Sequence, residues 1–379
     1  MTREATRAQR ESIGLVDLSE VNGPLKTELL AAVSGLIDSG AFSNGPEVAA
    51  FEMAFATYCG ARHCIGLASG LDALRLGLLA HGVGPGDEVV VPAMTFAATF
   101  EAIVQAGGTP VPADVSDGDY CLDPDALDAA VGPRTRAIIP VHLYGQLADM
   151  ARIGQLARAH GLTVLEDACQ AHGAERDGRS AGGGGFTAAF SFYPAKNLGA
   201  IGDAGALLTD DEAVAAVVRM LREHGEARRY QYERVGYTAR LDTVQAAVLL
   251  RKLPYLDEWN AERSRVAAAY DEMLDGVGDL RLPSVAAASA PVWYVYVVRT
   301  GSPGALSAFL AERGIGTGRH YPTPPHLSPA YASLGKARGS FPVAEALADE
   351  ALSLPIYPGL RKEQIEHVAE SISDFFDGG

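Results

Sequence analysis

Short apolar runs rich in β-branched residues alternate with helix-length segments between about Arg62 and Asp211. This alternation predicts βαβ units around a mostly parallel sheet. Leu71, Leu74 and Leu78 recur at helical spacing within one connecting segment, which indicates an amphipathic helix. The last three runs lack helix-length spacers of good pattern, so we expect the end of the sheet to change direction. The predicted strands are His63–Ala68, Glu88–Pro92, Thr109–Ala113, Ala137–His142, Thr163–Glu166, Phe186–Phe192 and Ala206–Leu208.

A second block follows a long helical pattern over Thr243–Leu274, which Pro254 is expected to break. This block contains a candidate strand at Val292–Arg299 and candidate helices at Pro303–Arg313 and Lys362–Phe376. We therefore expect a large domain over residues 1–252 and a smaller C-terminal α+β domain over residues 253–379.

Composition narrows the class of protein. With 48% hydrophobic and 21% charged residues in 379, the chain is typical of a soluble globular protein. Lys and Arg number 31 against 47 Asp and Glu, a net charge of −16 that argues against partners such as nucleic acid or an anionic membrane. The start, MTREATRAQRES, has no apolar stretch behind it, and we predict a cytoplasmic protein. The four cysteines form no CxxC pair, so we predict inert thiols and no metal site.

Lys196 has an unusual setting. It carries the one formal charge between Ser180 and Gly202, in the apolar, glycine-rich segment FSFYPAKNLGAIG that follows a predicted strand. An amine in such surroundings loses hydration of its charged form, which makes the neutral amine available as a nucleophile for an imine. The alternative is a lysine that reaches solvent or pairs with a carboxylate.

A second motif, GLTVLEDACQAHG, places adjacent carboxylates at the end of a predicted strand. Ligands of open parallel sheets bind beyond the carboxyl ends of the strands. A carboxylate there, such as Asp167, can pair with a protonated pyridine nitrogen and keep pyridoxal phosphate (PLP) acting as an electron sink. A helix cap or a surface charge is the alternative.

A third motif, LASGLDALRLGLL, turns from a predicted strand through Ser69 and Gly70 directly into a helix. Backbone N–H groups at a helix N-terminus suit a phosphate, and glycine permits close approach. The motif is not a dinucleotide fingerprint, because the nearest glycine cluster, Gly82 to Gly86, follows a helix rather than a strand.

A phosphate turn, a partner for a pyridine ring and an imine-forming lysine occur in that chain order, and with them the sequence resembles the DegT/DnrJ/StrS family of PLP-dependent sugar-nucleotide aminotransferases. The resemblance runs from SGAFSNGPEVAAFEMAFATYCGA through VPAMTFAATFEAI, PVHLYGQ, EDACQAHGA, SFYPAKNLGAIGDAGALLT and RLDTVQAAVL to RHYPTPPHLSPAY. It implies fold type I, with a mostly parallel seven-stranded sheet in a large PLP-binding domain. It also implies a homodimer with shared active sites.

The resemblance assigns roles to individual residues. Lys196 would hold PLP as an imine and then move protons, and Asp167 would pair with the ring nitrogen. Gln170 would lie against the phenolic oxygen of the cofactor and Phe96 on its ring face, with core packing as the alternative for Phe96. The phosphate would be bound by Ser69, Gly70, Leu71 and Ser191.

Residues of the partner subunit are expected around Arg228–Arg240. Many family members read Asn-Ser-Arg-Leu where this chain has Thr238-Ala239-Arg240-Leu241, so Thr238 keeps a hydroxyl donor for the phosphate but loses reach. Arg228, Arg229 and Tyr230 would suit a nucleotide diphosphate. A solvated charge cluster is the alternative for these three residues.

Leu71 also bears on the substrate. With an apolar residue after Ser-Gly, the chain resembles the family members that act at C3 of TDP-linked 3-keto-6-deoxyhexoses. The resemblance implies L-glutamate as the amino donor. The resemblance gives His142, His320, Tyr321 and His326 as sugar contacts.

Other activities remain open. A 4-keto-sugar nucleotide or a keto-cyclitol could be the acceptor, and a non-catalytic PLP-binding regulatory protein is an alternative of another class. Lys196 argues against the dehydratase branch of the family, which carries histidine there. A nicotinamide oxidoreductase fits poorly, since Tyr193 stands three rather than four residues before Lys196.

Overall fold

The structure is a computed structural model that describes residues 12–378. The first eleven residues of the charged N-terminal segment lie outside the described residues. Within the described residues, no helix combines the length and the apolar content that crossing a bilayer requires.

A seven-stranded sheet forms the centre of the fold, with strand order β1-β9-β8-β5-β4-β2-β3. The pairs β2·β3, β2·β4, β4·β5 and β5·β8 are parallel, whereas β9 runs antiparallel to both β8 and β1. The predicted mostly parallel sheet and its change of direction are therefore confirmed. The strands are β1 His63–Leu67, β2 Glu88–Pro92, β3 Thr109–Ala113, β4 Thr135–Ile138, β5 Thr163–Asp167, β6 Glu175–Arg176, β7 Arg179–Ser180, β8 Thr187–Ser191, β9 Gly205–Thr209, β10 Glu226–Arg228, β11 Gln231–Tyr232, β12 Ser289–Ala290, β13 Tyr296–Arg299 and β14 Ala351–Leu354.

Two predicted strands have a boundary that lies four residues from its expected position. The run predicted to reach His142 ends as β4 at Ile138, and beyond it Val141 forms an isolated bridge to Asp167. Pro140 lacks the N–H that a continuous ladder needs. The strand predicted from Val292 begins at Tyr296, after Trp293, which adopts a left-handed φ of 48°.

Helices cover both faces of the sheet. On one face Leu74 and Leu78 of α4 pack with Leu165 of β5, and on the other Phe51 and Phe55 pack with the β8 side chains. The helices are α1 Leu18–Asn22, α2 Lys26–Ser39, α3 Pro46–Cys59, α4 Gly70–Ala80, α5 Ala97–Gln105, α6 Pro124–Ala130, α7 Met150–His160, α8 Glu212–Arg222, α9 Thr243–Lys252, α10 Leu256–Leu274, α11 Pro303–Glu312, α12 Pro342–Glu350 and α13 Lys362–Asp377.

The C-terminal third contains the antiparallel pair β13·β14, against which residues of α10, α11 and α13 form a separate buried cluster. The predicted break at Pro254 is confirmed as a short 3₁₀ turn, Leu253–Tyr255, between α9 and α10. Ile13 bridges to Ile315 and belongs to the same cluster, so the start of the described chain packs on this part. The domain boundary at residue 252 stays a prediction.

Candidate active site

Asp167 ends β5 with its carboxylate almost fully buried. Its Oδ2 atom accepts a hydrogen bond from the Thr99 hydroxyl at 2.8 Å, and its Oδ1 atom accepts one from the Cys169 N–H at 3.2 Å. Its main chain bonds to Pro140 and His142 of the adjoining segment. Each carboxylate oxygen therefore has one donor, which leaves acceptor capacity for a group arriving from outside.

The turn after β1 forms the second part of the site. The hydroxyl of Ser69 accepts a hydrogen bond from the Asp72 N–H at 3.1 Å and so caps α4. A Cβ atom at Gly70 would lie 2.7 Å from Cys169 Sγ and 2.8 Å from Ser191 Cβ. Only glycine allows this approach, which brings the first turn of α4 beside the end of β8. The first N–H groups of α4, which have no partner within the helix, therefore lie near the Ser191 side chain.

Lys196 lies half-buried on the turn that follows β8. Its N–H donates to Tyr193 O at 2.8 Å, and the neighbouring Asn197 side chain is anchored on Val292 O at 2.8 Å. The Lys196 Nζ atom lies 4.4 Å from the centroid of the Tyr294 ring. Among residues 12–378 no carboxylate forms an ion pair with it, contrary to the alternative in which a carboxylate pairs with this lysine.

The charge of Lys196 acts on its neighbours. Burial, and then this charge, lower the pKa of His320 to about 4. Burial, and then the charge of Asp167, raise the pKa of the Cys169 thiol, against the opposing charge of Lys196. Cys169 therefore stays a neutral thiol. Because the charges of Lys196 and Asp167 both act on Cys169, which packs against Gly70, all four residues belong to one region of the structure.

Gln170 connects Asp167's loop to two neighbouring aromatic rings, those of Tyr321 and Phe96. The Gln170 Oε1 atom accepts from Tyr144 N at 2.7 Å, and its Nε2 donates to the Tyr321 hydroxyl at 3.0 Å. The Phe96 ring is 55% exposed and lies 5.4 Å from the Tyr321 ring, centroid to centroid. Since so large an exposed fraction is unlike a core side chain, Phe96 is available to a flat ligand.

Two residues predicted as sugar contacts are buried, and their role in binding a sugar stays a prediction. His142 is fully buried, where its Nδ1 accepts from Ala148 N at 3.2 Å and its Nε2 lies 2.8 Å from Glu166. His326 is buried against Glu345 at 3.2 Å. Both rings face the interior rather than the site, because the regular alternation of β4 ends before Pro140 and the proline-rich loop folds His326 inward. His320 and Tyr321 stay predictions, with His320 Nδ1 2.7 Å from Ser353 Oγ.

Arg228, Arg229 and Tyr230 are exposed at the β10–β11 hairpin. The Arg229 guanidinium lies 5.1 Å from the centroid of the Tyr230 ring. Within residues 12–378, none of these three side chains contacts Lys196. Both arginines line a surface cavity of about 460 Å³. The exposed Thr238 lies near the phosphate turn of its own chain, because Ala239 O accepts from Ala68 N at 3.1 Å, and its side chain is 3.3 Å from His224 Nε2. Their roles across a dimer stay predictions.

Sequence reasoning missed Thr99, Tyr144 and Tyr294. Thr99 had a detectable signal, since TFAAT places two hydroxyls one helical turn apart at the start of an amphipathic segment. Tyr144 and Tyr294 reach the site from distant loops and carry no such signal.

The side chains present fit PLP part by part. The Gly70 cradle, which a Cβ would fill, matches the phosphate, and the exposed Phe96 ring matches the pyridine face. The buried carboxylate of Asp167 matches the ring nitrogen, and the amine of Lys196 matches the aldehyde.

Known proteins that resemble this chain include aminotransferases, which agrees with a site that fits PLP. The model of the DegT/DnrJ/EryC1/StrS aminotransferase family matches residues 24–373. The dTDP-3-amino-3,4,6-trideoxy-alpha-D-glucose transaminase of Streptomyces venezuelae is 45% identical, with 98% of each chain covered. A UDP-N-acetyl-3-dehydro-alpha-D-glucosamine 3-aminotransferase of Acidithiobacillus ferrooxidans is 42% identical, over 96% of this chain and 98% of the relative. The crystal structure of S. venezuelae DesV in complex with a ketimine intermediate superposes with a TM-score of 0.95 at 45% identity, covering 97% of this chain and 99% of that one.

Proposed function

Because the chain belongs to the DegT/DnrJ/EryC1/StrS aminotransferase family, we propose that it transfers the amino group of L-glutamate to a TDP-linked 3-keto-6-deoxyhexose. One observation carries the proposal. Lys196, Asp167 and the Gly70–Ser191 cradle lie together at the carboxyl ends of β5 and β8, although up to 126 positions separate them along the chain. The amino sugar product would serve amino-deoxysugar biosynthesis.

PLP, when bound, supplies an electron sink for the electron pair left on a substrate carbon that has lost its proton. Asp167 would hold the proton of the ring nitrogen on a carboxylate already oriented by Thr99 and Cys169. The first N–H groups of α4 and the Ser191 hydroxyl would bind the phosphate. Because the whole chain carries a net charge of −16, which repels an anion, these local donors are needed to hold it. Phe96 would cover one face of the ring.

Lys196 acts as the base that moves protons at its Nζ atom. The hydrogen bond from its N–H to Tyr193 and the anchoring of Asn197 fix the turn beneath it, so the side chain alone moves. When the Nζ atom is protonated, the face of the Tyr294 ring stabilises its charge through a cation–π interaction. Partial burial keeps bulk water from competing for the proton.

The substrate proposal rests on two observations. The relative from S. venezuelae is named for a TDP-linked 3-amino sugar, and Leu71 gives the phosphate turn an apolar, half-buried residue. A second candidate is a UDP-linked 3-keto sugar, which the relative from A. ferrooxidans favours.

We also propose a homodimer, in which the β10–β11 hairpin of each subunit reaches the site of the other. Tyr230, Tyr232 and Val235 expose 72%, 61% and 91% of their surface on and beside this hairpin. Such a group of exposed large apolar side chains is typical of an interface.

The cofactor assignment is tested by loading the protein with PLP and treating it with borohydride. We expect a yellow protein whose absorption band borohydride bleaches, with the reduced cofactor recovered on the peptide that contains Lys196. Lys196→Ala should lack the band and lose turnover, because the attachment point and the base are gone. Lys336→Ala, at an exposed position, is the matched control and should behave as the wild type. A band that persists in Lys196→Ala would refute the assignment.

The substrate is tested with a panel of TDP- and UDP-linked 3-keto and 4-keto sugars and keto-cyclitols, each with L-glutamate. Formation of 2-oxoglutarate is followed by mass spectrometry. We expect the TDP-linked 3-keto sugars to turn over fastest. A preference for UDP-linked or 4-keto acceptors would replace the substrate proposal while leaving the aminotransferase assignment intact.

A further inference from the structure

We propose that Thr99 is a positioning residue for transamination, which holds the Asp167 carboxylate in place through a one-way chain of hydroxyl groups that begins at Thr95. The inference rests on the proposed function, because orienting Asp167 matters only if a pyridine nitrogen binds there.

The hydrogen bonds define the direction of the chain. The Thr99 Oγ1 atom lies 2.8 Å from Asp167 Oδ2, and the Thr95 Oγ1 atom lies 2.8 Å from Thr99 Oγ1. An ionised carboxylate only accepts hydrogen bonds, so Thr99 donates its single hydroxyl proton to Asp167. Thr95 must then be the donor to Thr99. All protons in this chain point toward the carboxylate.

Burial excludes water as a substitute for these donors. The side chains of Thr99 and Thr95 are 0% and 1% exposed. Loss of the Thr99 hydroxyl would therefore leave Asp167 Oδ2 without this donor, on a residue that is only 7% exposed.

Local structure alone does not account for the arrangement. A threonine inside a helix usually bonds to a carbonyl of its own preceding turn. Thr99 instead bonds to a residue 68 positions away. Thr95 precedes Phe96 at the start of α5, yet no side chain caps this helix. The Thr99 hydroxyl thus bonds to Asp167 and the Thr95 hydroxyl to Thr99, and neither caps α5.

The same helical turn also presents Phe96. The Thr99 N–H donates to Phe96 O at 3.1 Å, which fixes Phe96 relative to the Thr99 side chain. The start of α5 therefore positions two side chains relative to each other. Phe96 would cover the face of the pyridine ring, and Thr99 holds Asp167, which would bind the ring nitrogen. Cys169 N on the other carboxylate oxygen prevents rotation of the carboxylate plane.

The test compares Thr99→Val, which keeps the shape and removes the hydroxyl, with Thr99→Ser, which keeps the hydroxyl. For the PLP-loaded protein, ¹⁵N NMR of ring-labelled cofactor reports the protonation of the ring nitrogen, and stopped flow gives the rate of the L-glutamate half-reaction. We expect Thr99→Val to shift the ¹⁵N signal toward the unprotonated form and to slow the half-reaction by about 10- to 100-fold, as for loss of a hydrogen bond to a charged group. Thr99→Ser should restore both readouts to within about 3-fold of the wild type.

Thermal unfolding of the cofactor-free protein separates positioning from packing. Valine is isosteric and apolar, so we expect the apoprotein of Thr99→Val to unfold at or near the wild-type temperature while its ¹⁵N signal changes. If Thr99→Val does not fold, Thr95→Val carries the test, because it breaks the chain without touching Asp167. It should shift the ¹⁵N signal in the same direction by a smaller amount.

The outcomes are distinguishable. A wild-type protein that neither binds PLP nor transaminates would overturn the proposed function and this inference together. A wild type that transaminates, together with a valine variant whose ¹⁵N signal and rate are unchanged, would overturn this inference alone. A rate that falls with an unchanged ¹⁵N signal would also overturn it, because the effect would then be one of packing.

Discussion

Among single residues, His172 couples the stability of the protein to pH. Its ring is fully buried and packs 5.3 Å from the Phe190 ring and 5.6 Å from the Phe192 ring, between centroids. Burial, and then the charge of Lys196, lower the pKa of His172 to about 3. The folded protein therefore holds a neutral imidazole across the physiological range.

This predicts a loss of stability in acid. Above pH 6.5 the ring is neutral in both states and contributes nothing to the pH dependence. As the pH falls from 6.5 to about 3, the unfolded state takes up a proton that the folded state does not, and the free energy of unfolding decreases. At pH 5 the loss should be roughly 2 kcal/mol, at about 1.4 kcal/mol per pH unit.

Urea unfolding at pH 7 and pH 5 measures this loss. His172→Leu should show a drop between the two pH values smaller than that of the wild type by roughly 2 kcal/mol. His160→Leu, at an exposed position on α7, should keep the wild-type drop. Equal drops in all three proteins would show that His172 is not the titrating group.

At the scale of elements, the start of α4 depends on the absence of a side chain at Gly70. Gly70→Ala would place Cβ within 2.8 Å of Ser191 Cβ and 2.7 Å of Cys169 Sγ, so α4 and β8 must separate. Overpacking of this kind costs about 1–3 kcal/mol. We expect the affinity for PLP to fall about 5- to 150-fold, since 1.4 kcal/mol is a factor of about 10.

Fluorescence titration with PLP checks the Gly70 prediction. Gly84→Ala serves as the control, because a Cβ there would meet no heavy atom within 4 Å. An unchanged dissociation constant for Gly70→Ala would mean that the two elements need not touch for the cofactor to bind.

Element boundaries were largely predictable because buried strands read as continuous apolar runs. The strand Glu88–Pro92 has the predicted bounds. Placing Asp167 and Ser191 at strand ends also brought them to one edge, as the rule for parallel sheets requires. The rule gives the edge but not the side on which a residue points, and the His142 side chain is buried in the interior. The TFAAT pattern could indicate the two hydroxyls of Thr95 and Thr99 but not their partner. The contacts of Thr99 with Asp167 and of Lys196 with Tyr294 join distant parts of the chain, which no local pattern specifies.

At the scale of the whole molecule, the candidate site connects the sheet, its covering helices and the C-terminal third. Asp167 belongs to β5, the phosphate turn to α4, and Tyr294 and Tyr321 to the C-terminal third. A ligand that contacts all of these parts should stabilise the folded chain through mass action.

We expect PLP at 100 times its dissociation constant to add about 2.7 kcal/mol to the free energy of unfolding. At about 1.3 °C per kcal/mol for a chain of 379 residues, the unfolding temperature should rise by about 3 °C. Scanning fluorimetry of the apoprotein with and without PLP measures the rise. Pyridoxal, which lacks the phosphate, should give a much smaller shift, and an equal shift would argue against a phosphate cradle at Gly70.

The position of β9 has a consequence for biosynthesis. Within residues 12–378, β9 is the one strand of the sheet that pairs with β1, which Leu67 also joins to Arg240 by an isolated bridge. Gly205 packs directly against the main chain of Ser69. The turn at Ser69 therefore has no strand beside it until Gly205–Thr209 has left the ribosome, when more than half of the polypeptide has been made. If the turn at Ser69 binds the phosphate as proposed, a nascent chain that stalls before residue 205 lacks the strand on which this turn packs, and we expect such a chain not to retain vitamin B6.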